Sequence, residues 1–464
     1  MKGKNSKVMK VTVTQTMMLW AAVLAMTVLR LTVATSGSFT ESESFLSVCA
    51  AHPAGGYIEG PAGVPLLLAL FKVCGGSELF FLRCVSPVAV LILSWCVWWI
   101  GRRIAPHRQS LALWSVLGLN LLPSVNLASL VMNGAMVTAM TILLAIVTGW
   151  SASTGIGKTS KELAPWALFG GALALGTQFW EMIGLLLPVV IALCFVNHGP
   201  KTIPWRGILL ALFLLILGWV PSLAWNARHD WIQWSSVAPG FDSIQMGSFA
   251  LPLGLTVTVG ALVIPFLARL VFVGTLWRVI VILLASVAAL TSTTILFVPQ
   301  LLPSGFPSPI GVSGLRELSG VVLSLRKERP DPKGEFSFLI ASTPGLASML
   351  SSRIAIEYPE RPGSPPVFVV ESPSLNSSYA LWPSYPDAVA AGVKDNLYTE
   401  EKSVSPFLGR NALYITTESM EELPQTITGA FNAVALLKEV PISINEKQQT
   451  IRIYQCEGYR TLSL

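Results

Sequence analysis

The stretch "FTESESFLSVCAAHPAGGYIEGPAG" occupies residues 39–63 and follows closely on the first long apolar run of the chain. It holds three carboxylates (Glu41, Glu43, Glu59), a histidine and four glycines, in a chain where Asp, Glu, Lys and Arg together make up only 12% of residues. A charge left at the centre of a bilayer costs about 2.5–3.5 kcal/mol on insertion scales, so acids this scarce have positional meaning. Where this stretch lies relative to a membrane decides the fold.

The composition fixes the class. Of 464 residues, 52% are hydrophobic, far more than an ordinary soluble domain tolerates, which indicates a polytopic membrane protein. The net charge of +6 is unevenly divided. Residues 1–299 carry 17 Lys and Arg against 8 Asp and Glu, a balance of +9, whereas residues 300–464 carry 14 against 17, a balance of −3. This reads as a membrane module over 1–299 followed by a mildly acidic, soluble-type domain over 300–464. The basic balance argues orientation in a membrane and excludes nothing-but-charge readings such as nucleic-acid binding.

A helix needs about 20 apolar residues to cross a ~30 Å hydrocarbon core. Nine runs are read as spans, near residues 12–34, 85–101, 109–128, 132–150, 164–180, 182–197, 207–225, 251–268 and 279–298. The fifth and sixth are short and meet at Glu181, so one long buried helix is an alternative there. Charge favours two. With the amino terminus inside, 13 of the 17 cations of the module fall on the inner side, among them Lys2, Arg102, Arg103, Lys158 and Arg278. Seven of its 8 acids fall on the other side, as the positive-inside rule requires. Merging the two spans flips everything downstream and spoils the sorting. The first run is read as a retained span and not a cleaved signal, because it is long and carries Arg30. The opening stretch thus belongs to an extracytoplasmic loop over 35–84, in which 64–73 reads as an apolar helix lying at the interface.

Three segments carry a family resemblance: "VLRLTVATSGSFTESESF", "GGYIEGPAGVPLLLALFKVCGGSELFFLR" and "PSLAWNARHDW". In this order they resemble the GT-C superfamily, in the branch of protein O-mannosyltransferase-like enzymes and lipid A aminoarabinose transferases. Gly56-Tyr57, Pro61, the apolar helix and Glu78…Arg83 follow the family order. Trp225-Asn226 with His229-Asp230-Trp231 resembles its outer-loop motif, and "GVSGLRELSGVVLSLRK" and "SSYALWPSYPD" resemble its carboxyl-terminal region. The resemblance implies a mostly helical membrane bundle with a carboxyl-terminal extracytoplasmic α/β domain, set in a bacterial inner membrane. It also implies a glycosyltransferase that takes a sugar from a polyprenyl-phosphate carrier and passes it to a lipid, glycan or protein acceptor.

Such a reaction needs a carboxylate for the acceptor proton, and cations or a divalent metal for the departing phosphate. The family's catalytic Asp falls on Ser42, with Glu43 on the following acid, Glu41 one residue away and Glu59 at the turn after Gly-Tyr. The catalytic candidates are therefore Glu43, Glu41 and Glu59, in that order. The substrate-binding candidates are Arg83, for the phosphate, with Tyr57, Glu181, Asn226, His229, Asp230 and Trp231. The second acidic motif of the family becomes Asn133-Gly134, without a carboxylate. A catalytically silent homologue acting as scaffold or lipid-binding subunit is the rival reading. A transporter ranks third, since its acids belong at mid-membrane.

Other signals carry less. His52 and His229 have no spaced Cys/His cluster, so no metal site is assigned. "ASTGIGKTS" (152–160) follows a membrane span and not a strand, which removes its likeness to a phosphate-binding loop. Cys49, Cys74 and Cys84 share the outer loop, where a Cys49–Cys74 disulfide and buried thiols are alternatives. In the carboxyl-terminal region the patterning predicts helices near 314–327 and 343–352. Strands are expected near 335–341, 366–370, 412–417 and 449–456, in one sheet.

Overall fold

The computed structural model describes residues 13–35, 39–73, 78–130, 132, 134–154, 163–198, 203–235, 246–270, 275–297, 312–330, 334–354, 365–371, 375, 377–386, 405–444 and 447–460. In chain order the first elements are α1 (Val13–Thr35), α2 (Glu41–Ala51), strands β1 (Gly56–Tyr57) and β2 (Gly60–Pro61), α3 (Gly63–Val73), α4 (Glu78–Ile104), α5 (Gln109–Leu121), α6 (Pro123–Ser129) and α7 (Ala135–Thr154). They are followed by α8 (Ala164–Thr177), a 3₁₀ turn (Glu181–Leu185), α9 (Leu186–His198), α10 (Trp205–Arg228), the short α11 (Ile232–Ser235), α12 (Met246–Leu270) and α13 (Thr275–Phe297). The remaining elements are β3 (Val312–Ser313), α14 (Leu315–Glu328), β4 (Phe338–Ala341), α15 (Pro344–Ile354), β5 (Phe368–Val369), β6 (Ala412–Thr416), α16 (Gln425–Thr428), β7 (Phe431–Ile444) and β8 (Lys447–Tyr459).

Each of the nine apolar runs is helical, but they differ in reach. Among the described residues four helices are long and apolar enough to cross a membrane alone: α1, Phe80–Ile104 of α4, α7 and α10. The pair α5–α6 makes a fifth if counted as one span bent by 58°. The expected spans at 164–180 and 182–197 are shorter apolar helices, whereas those at 251–268 and 279–298 fall on the 25-residue α12 and the 23-residue α13. The alternative of one long helix across Glu181 is excluded. A Cβ on Gly149 would lie 2.7 Å from Val190 and 3.0 Å from Phe169. A continuous helix would separate those two residues by about 31 Å, at 1.5 Å per residue. The chain instead reverses around residues 178–180, and α8 and α9 both pack on α7.

The chain divides into two compact units. The first holds α1 and the elements from β1 to α13. α7 is its central helix. On one side α7 packs with α4, α5 and α12 around Leu93, Val97, Leu119, Met136 and Val257. On the other it packs with α8, α9 and α10 around Phe169, Leu173, Val190 and Leu215. Small residues bring α8 and α10 together: a Cβ on Gly170 would stand 2.7 Å from the Ala211 Cα, and one on Gly218 2.5 Å from the Ala174 Cα. Close backbone approach of this kind is how helices associate in lipid, where apolar contact alone gives no advantage. Large apolar side chains stay uncovered on the outside, such as Leu168 at 65%, Phe213 at 61% and Leu290 at 71% exposure, which suits a surface solvated by hydrocarbon.

The break between α5 and α6 falls at Leu122–Pro123, where proline cannot donate to the preceding turn. A fully buried arginine closes it. Arg30 of α1 donates from Nε to Asn126 Oδ1 (2.8 Å), from Nη1 to Asn120 Oδ1 (2.9 Å) and from Nη2 to the Asn120 carbonyl (3.0 Å). Its charge thus sits at the negative end of the α5 dipole.

The second unit contains residues 312–460 and also α2. Its sheet has the order β3-β7-β8-β6-β4-β5, with β4 parallel to β5 and β6 and the other pairs antiparallel. Every helix and strand expected here is present within a few residues; β3 and β7, which the patterning left unassigned, are the added strands. The core is aromatic, built on Phe338, Phe368, Tyr385, Phe407, Tyr414 and Tyr454. α2 comes from the loop that the sequence assigns to the membrane module. Its residues Glu43–Ala50 are all buried, and it packs on α15 with Phe45 against Tyr379. A helix covered on every side needs such a partner, and α15 supplies it. Cys49 is buried in α2, and Cys74 lies outside the described residues.

Candidate active site

In the first unit the site residues gather at the end of α10. Ser222, Trp225, Asn226 and His229 recur at three- and four-residue spacing, which puts them on one face. The helix then stops through left-handed backbone. Asp230 has φ 52° and Trp231 φ 58°, and the Trp231 N–H returns to the Asn226 carbonyl at 2.9 Å. That is the helix-ending bond usually made beyond a glycine. Asp tolerates the conformation, whereas Trp there costs on the order of 1–3 kcal/mol, a strain that clusters at functional sites. The turn aims α11 backward and delivers Gln233 to Asn226.

A polar cluster results. The Asn226 amide donates to Gln233 Oε1 (2.8 Å) and to the Ser222 carbonyl (3.0 Å). Ser222 Oγ and Gln233 Nε2 both donate to Glu181 Oε1, at 3.0 and 3.3 Å. Asn226 is fully buried, and among the described residues its Oδ1 has no hydrogen-bond partner. A buried acceptor left unpaired costs about 1–3 kcal/mol. The His229 ring stacks on Trp225 at 4.2 Å and 19°. Its Nδ1 donates to the Trp225 carbonyl at 2.8 Å, since a carbonyl only accepts, which leaves Nε2 as the second ring nitrogen.

The Gly-Tyr motif lies against this cluster. β1 and β2 form a two-residue hairpin with Ile58-Glu59 at its turn, pairing Gly56 with Pro61 and Tyr57 with Gly60. A Cβ on Gly55 would stand 2.6 Å from the Pro221 carbonyl, and one on Gly56 2.9 Å from the Trp225 ring and 3.2 Å from Gln233 Oε1. The two glycines are the condition for that approach. Tyr57 is buried and its hydroxyl accepts from the Ala54 N–H at 3.2 Å; Glu59 is half-buried. Arg83, expected to meet a phosphate, is 1% exposed and donates to the Ala34 carbonyl at the end of α1.

The acids of the opening stretch belong to the second unit. Thr40 caps α2, and Glu43 completes a capping box: its Oε2 accepts from the Thr40 N–H and hydroxyl at 3.0 Å each, while the Glu43 N–H donates to Thr40 Oγ1 at 3.3 Å. Glu43 is completely buried in this role. Glu41 sits in the first turn with its carboxyl pressed against Gly345 of α15, where a Cβ would overlap it. Burial pushes its pKa up from the usual carboxylate range to about 7. At the other end of α2, His52 donates from Nδ1 to the Val48 carbonyl (3.0 Å) and stacks on Trp382 at 4.6 Å and 24°.

The structure therefore brings Glu181, Asn226, His229 and Tyr57 together in one unit, and Glu41 with Glu43 in the other. Asp230 and Trp231 shape the turn and are exposed. Asn133 lies outside the described residues, next to Gly134. Sequence reasoning missed Ser222, Gln233 and Gly345. The first shares the helix face of Asn226, and that spacing was a usable signal. Among the described residues no three His, Cys, Asp or Glu side chains gather to hold a metal ion.

No protein-family model matches the chain, and no curated protein matches it. Solved structures of ArnT from Cupriavidus metallidurans do. The form bound to undecaprenyl phosphate aligns over 95% of this chain and 98% of its own, with TM-score 0.54 and 12% identity. The apo form aligns over 94% and 97%, with TM-score 0.51 and 12% identity. The chain has the ArnT fold. The resemblance drawn from the motifs is thus borne out at the level of fold, including the carboxyl-terminal sheet region that follows the helical bundle.

Proposed function

We propose that this protein is a membrane glycosyltransferase that takes a sugar from a polyprenyl-phosphate carrier and transfers it to a lipid, glycan or protein acceptor on the extracytoplasmic face. The observation that carries the proposal is the Glu41 carboxyl, set one residue from the family's acidic position with its pKa raised to about 7. A general base works best when its pKa lies near the working pH. In this reading Glu41 takes the proton of the acceptor hydroxyl as its oxygen attacks the sugar, and the lipid phosphate departs. Glu43 ranks behind Glu41, because its oxygens are engaged in the cap. Within the first unit, and by itself, the Asn226–Glu181 cluster offers a polar surface suited to a hydroxyl or amine. The ArnT fold supports the carrier class, since one ArnT structure holds undecaprenyl phosphate.

One observation favours the silent-homologue reading: Glu43, on an acidic position of the family pattern, is spent on helix capping. The test is sugar transfer from a panel of polyprenyl-phosphate sugars by the full chain in nanodiscs. Glu41→Gln is expected to lower the rate about 10²–10⁴-fold, the typical worth of a general base. No transfer by the wild type with any donor, or full activity in Glu41→Gln, selects the scaffold.

A further inference from the structure

α4 ends in two arginines, and each lies over a tryptophan face. The Arg102 guanidinium carbon is 4.8 Å from the Trp98 ring centre, and that of Arg103 is 4.7 Å from Trp99. Both arginines are exposed. Among the described residues neither arginine forms an ion pair with an acid; such pairs are made by Arg410 and Arg452 in the other unit. Stacking fixes the guanidinium planes and leaves their N–H edges, five donors each, for an anion.

Trp99 in turn meets Trp150 of α7 edge to face, at 6.0 Å and 82°. Trp150 is one wall of a groove of about 640 Å³, and Ile146, Leu186, Val189 and Leu193 are others. Ser153 and Thr154 complete it at the end of α7, and both hydroxyls donate to the Trp150 carbonyl at 2.9 Å. The polar atoms of the lining are thus satisfied within the helix, and the groove offers hydrocarbon. Val189 and Leu193 are 53% and 43% exposed.

We propose that this is a binding site for an anionic bilayer phospholipid, with its phosphodiester on Arg102 and Arg103 and one acyl chain in the groove between α7 and α9. The charge requirement comes from two cations that, among the described residues, have no carboxylate paired with them. The chain requirement comes from an apolar groove between helices that face lipid. The Arg103–Trp99–Trp150 contacts join the two requirements into one site. By the charge sorting of the spans this end faces the cytoplasm, where anionic lipids attract basic groups. The site is independent of the proposed transfer reaction.

The test is lipid retention by the full chain, measured by native mass spectrometry and by titration with phosphatidylglycerol or phosphatidylcholine. Phosphatidylglycerol is expected to bind with one tight site and phosphatidylcholine without one. Arg102→Gln with Arg103→Gln is expected to weaken phosphatidylglycerol about thirty-fold, the worth of two surface arginines against anionic lipid. Arg102→Lys with Arg103→Lys keeps the charge that sets topology, so its partial retention of lipid separates lost binding from faulty insertion. Val189→Trp, which fills the groove from its exposed wall, is expected to weaken binding without touching the arginines. Equal retention of both lipids, an unchanged affinity in the Gln–Gln variant, or displacement of the lipid by polyprenyl phosphate overturns the proposal.

Discussion

Replacing Glu41 by glutamine removes one ionisable oxygen pair and keeps the shape. In the fold, burial raises this carboxyl from 4.5 to about 7. The protonated form is therefore the one the fold prefers. Its stabilising contribution is complete below pH 4.5 and is lost as pH rises through 7, because the unfolded chain ionises first. At 1.36 kcal/mol per unit the full shift corresponds to roughly 3 kcal/mol; the carboxyl is half-buried and keeps some solvent, so about 2 kcal/mol is expected. Wild type should thus lose stability between pH 4.5 and 7 relative to Glu41→Gln, and the variant should be the more stable of the two at pH 8. The assay is thermal unfolding of both full-length proteins in the same detergent from pH 4.5 to 8.5, followed by tryptophan emission. Working with the difference between the proteins cancels the titration of every other group. A difference that is flat with pH, or a variant less stable than wild type at pH 8, refutes the claim that this carboxyl is desolvated against α15.

Gly345→Ala puts a methyl where the Glu41 carboxyl lies, so it should push that carboxyl into solvent and abolish the pH dependence just described, read in the same unfolding series. Glu43→Ala should cost about 1 kcal/mol through loss of the cap, whereas Glu43→Gln should preserve it, because glutamine also serves in a capping box; a large loss of transfer activity in Glu43→Gln with unchanged stability would reinstate Glu43 as the base. Asn226→Ala should impair transfer while the amount of membrane-inserted protein stays constant; a joint fall assigns the residue to structure alone. Reporter fusions after Leu464 and in the 151–163 loop should read as extracytoplasmic and cytoplasmic respectively, and finding both on one side overturns the nine-span topology.

The helical bundle was legible because each run of apolar residues had to become a helix once it lay in lipid, where backbone groups have no water to bond. Helix length was less legible. Composition does not reveal that the 164–180 run leaves the helix after Thr177 or that α9 begins only at Leu186, since the break is held by tertiary contacts: the Gly63 N–H donates to the Gln178 carbonyl at 2.8 Å. In the carboxyl-terminal unit alternation gave β4, β6 and β8, but "FNAVALLKEVPISI" hid β7 behind helix-forming Leu, Lys and Glu and an internal proline. Its pairing along β8 overrides that local preference, as sheet contacts commonly do. At the site, Asn226 and Glu181 were visible as polar residues in apolar surroundings. Their bridge, Gln233, was not, because it depends on a reversal through Asp230 and Trp231 that no residue type announces.

The opening stretch resolves into a division of labour within one turn of helix. Glu41 and Glu43 are two residues apart, so they point about 200° apart around α2 and meet different surroundings. Glu43 turns back to Thr40, and its Oε2 accepts two hydrogen bonds there, from the Thr40 N–H and hydroxyl, which hold the carboxylate in the cap. Glu41 turns toward Gly345 and receives burial without a hydrogen bond among the described residues, the arrangement that favours the protonated form. The two acids thus differ in engagement: the Glu43 carboxylate is tied up by the cap, and the Glu41 carboxyl is not. The motif alone ranks Glu43 first because it stands on an acidic position of the family pattern. The environment reverses that order, because a carboxylate already held by its own helix has less freedom to take a proton from a substrate than one pressed against a neighbour that offers it nothing.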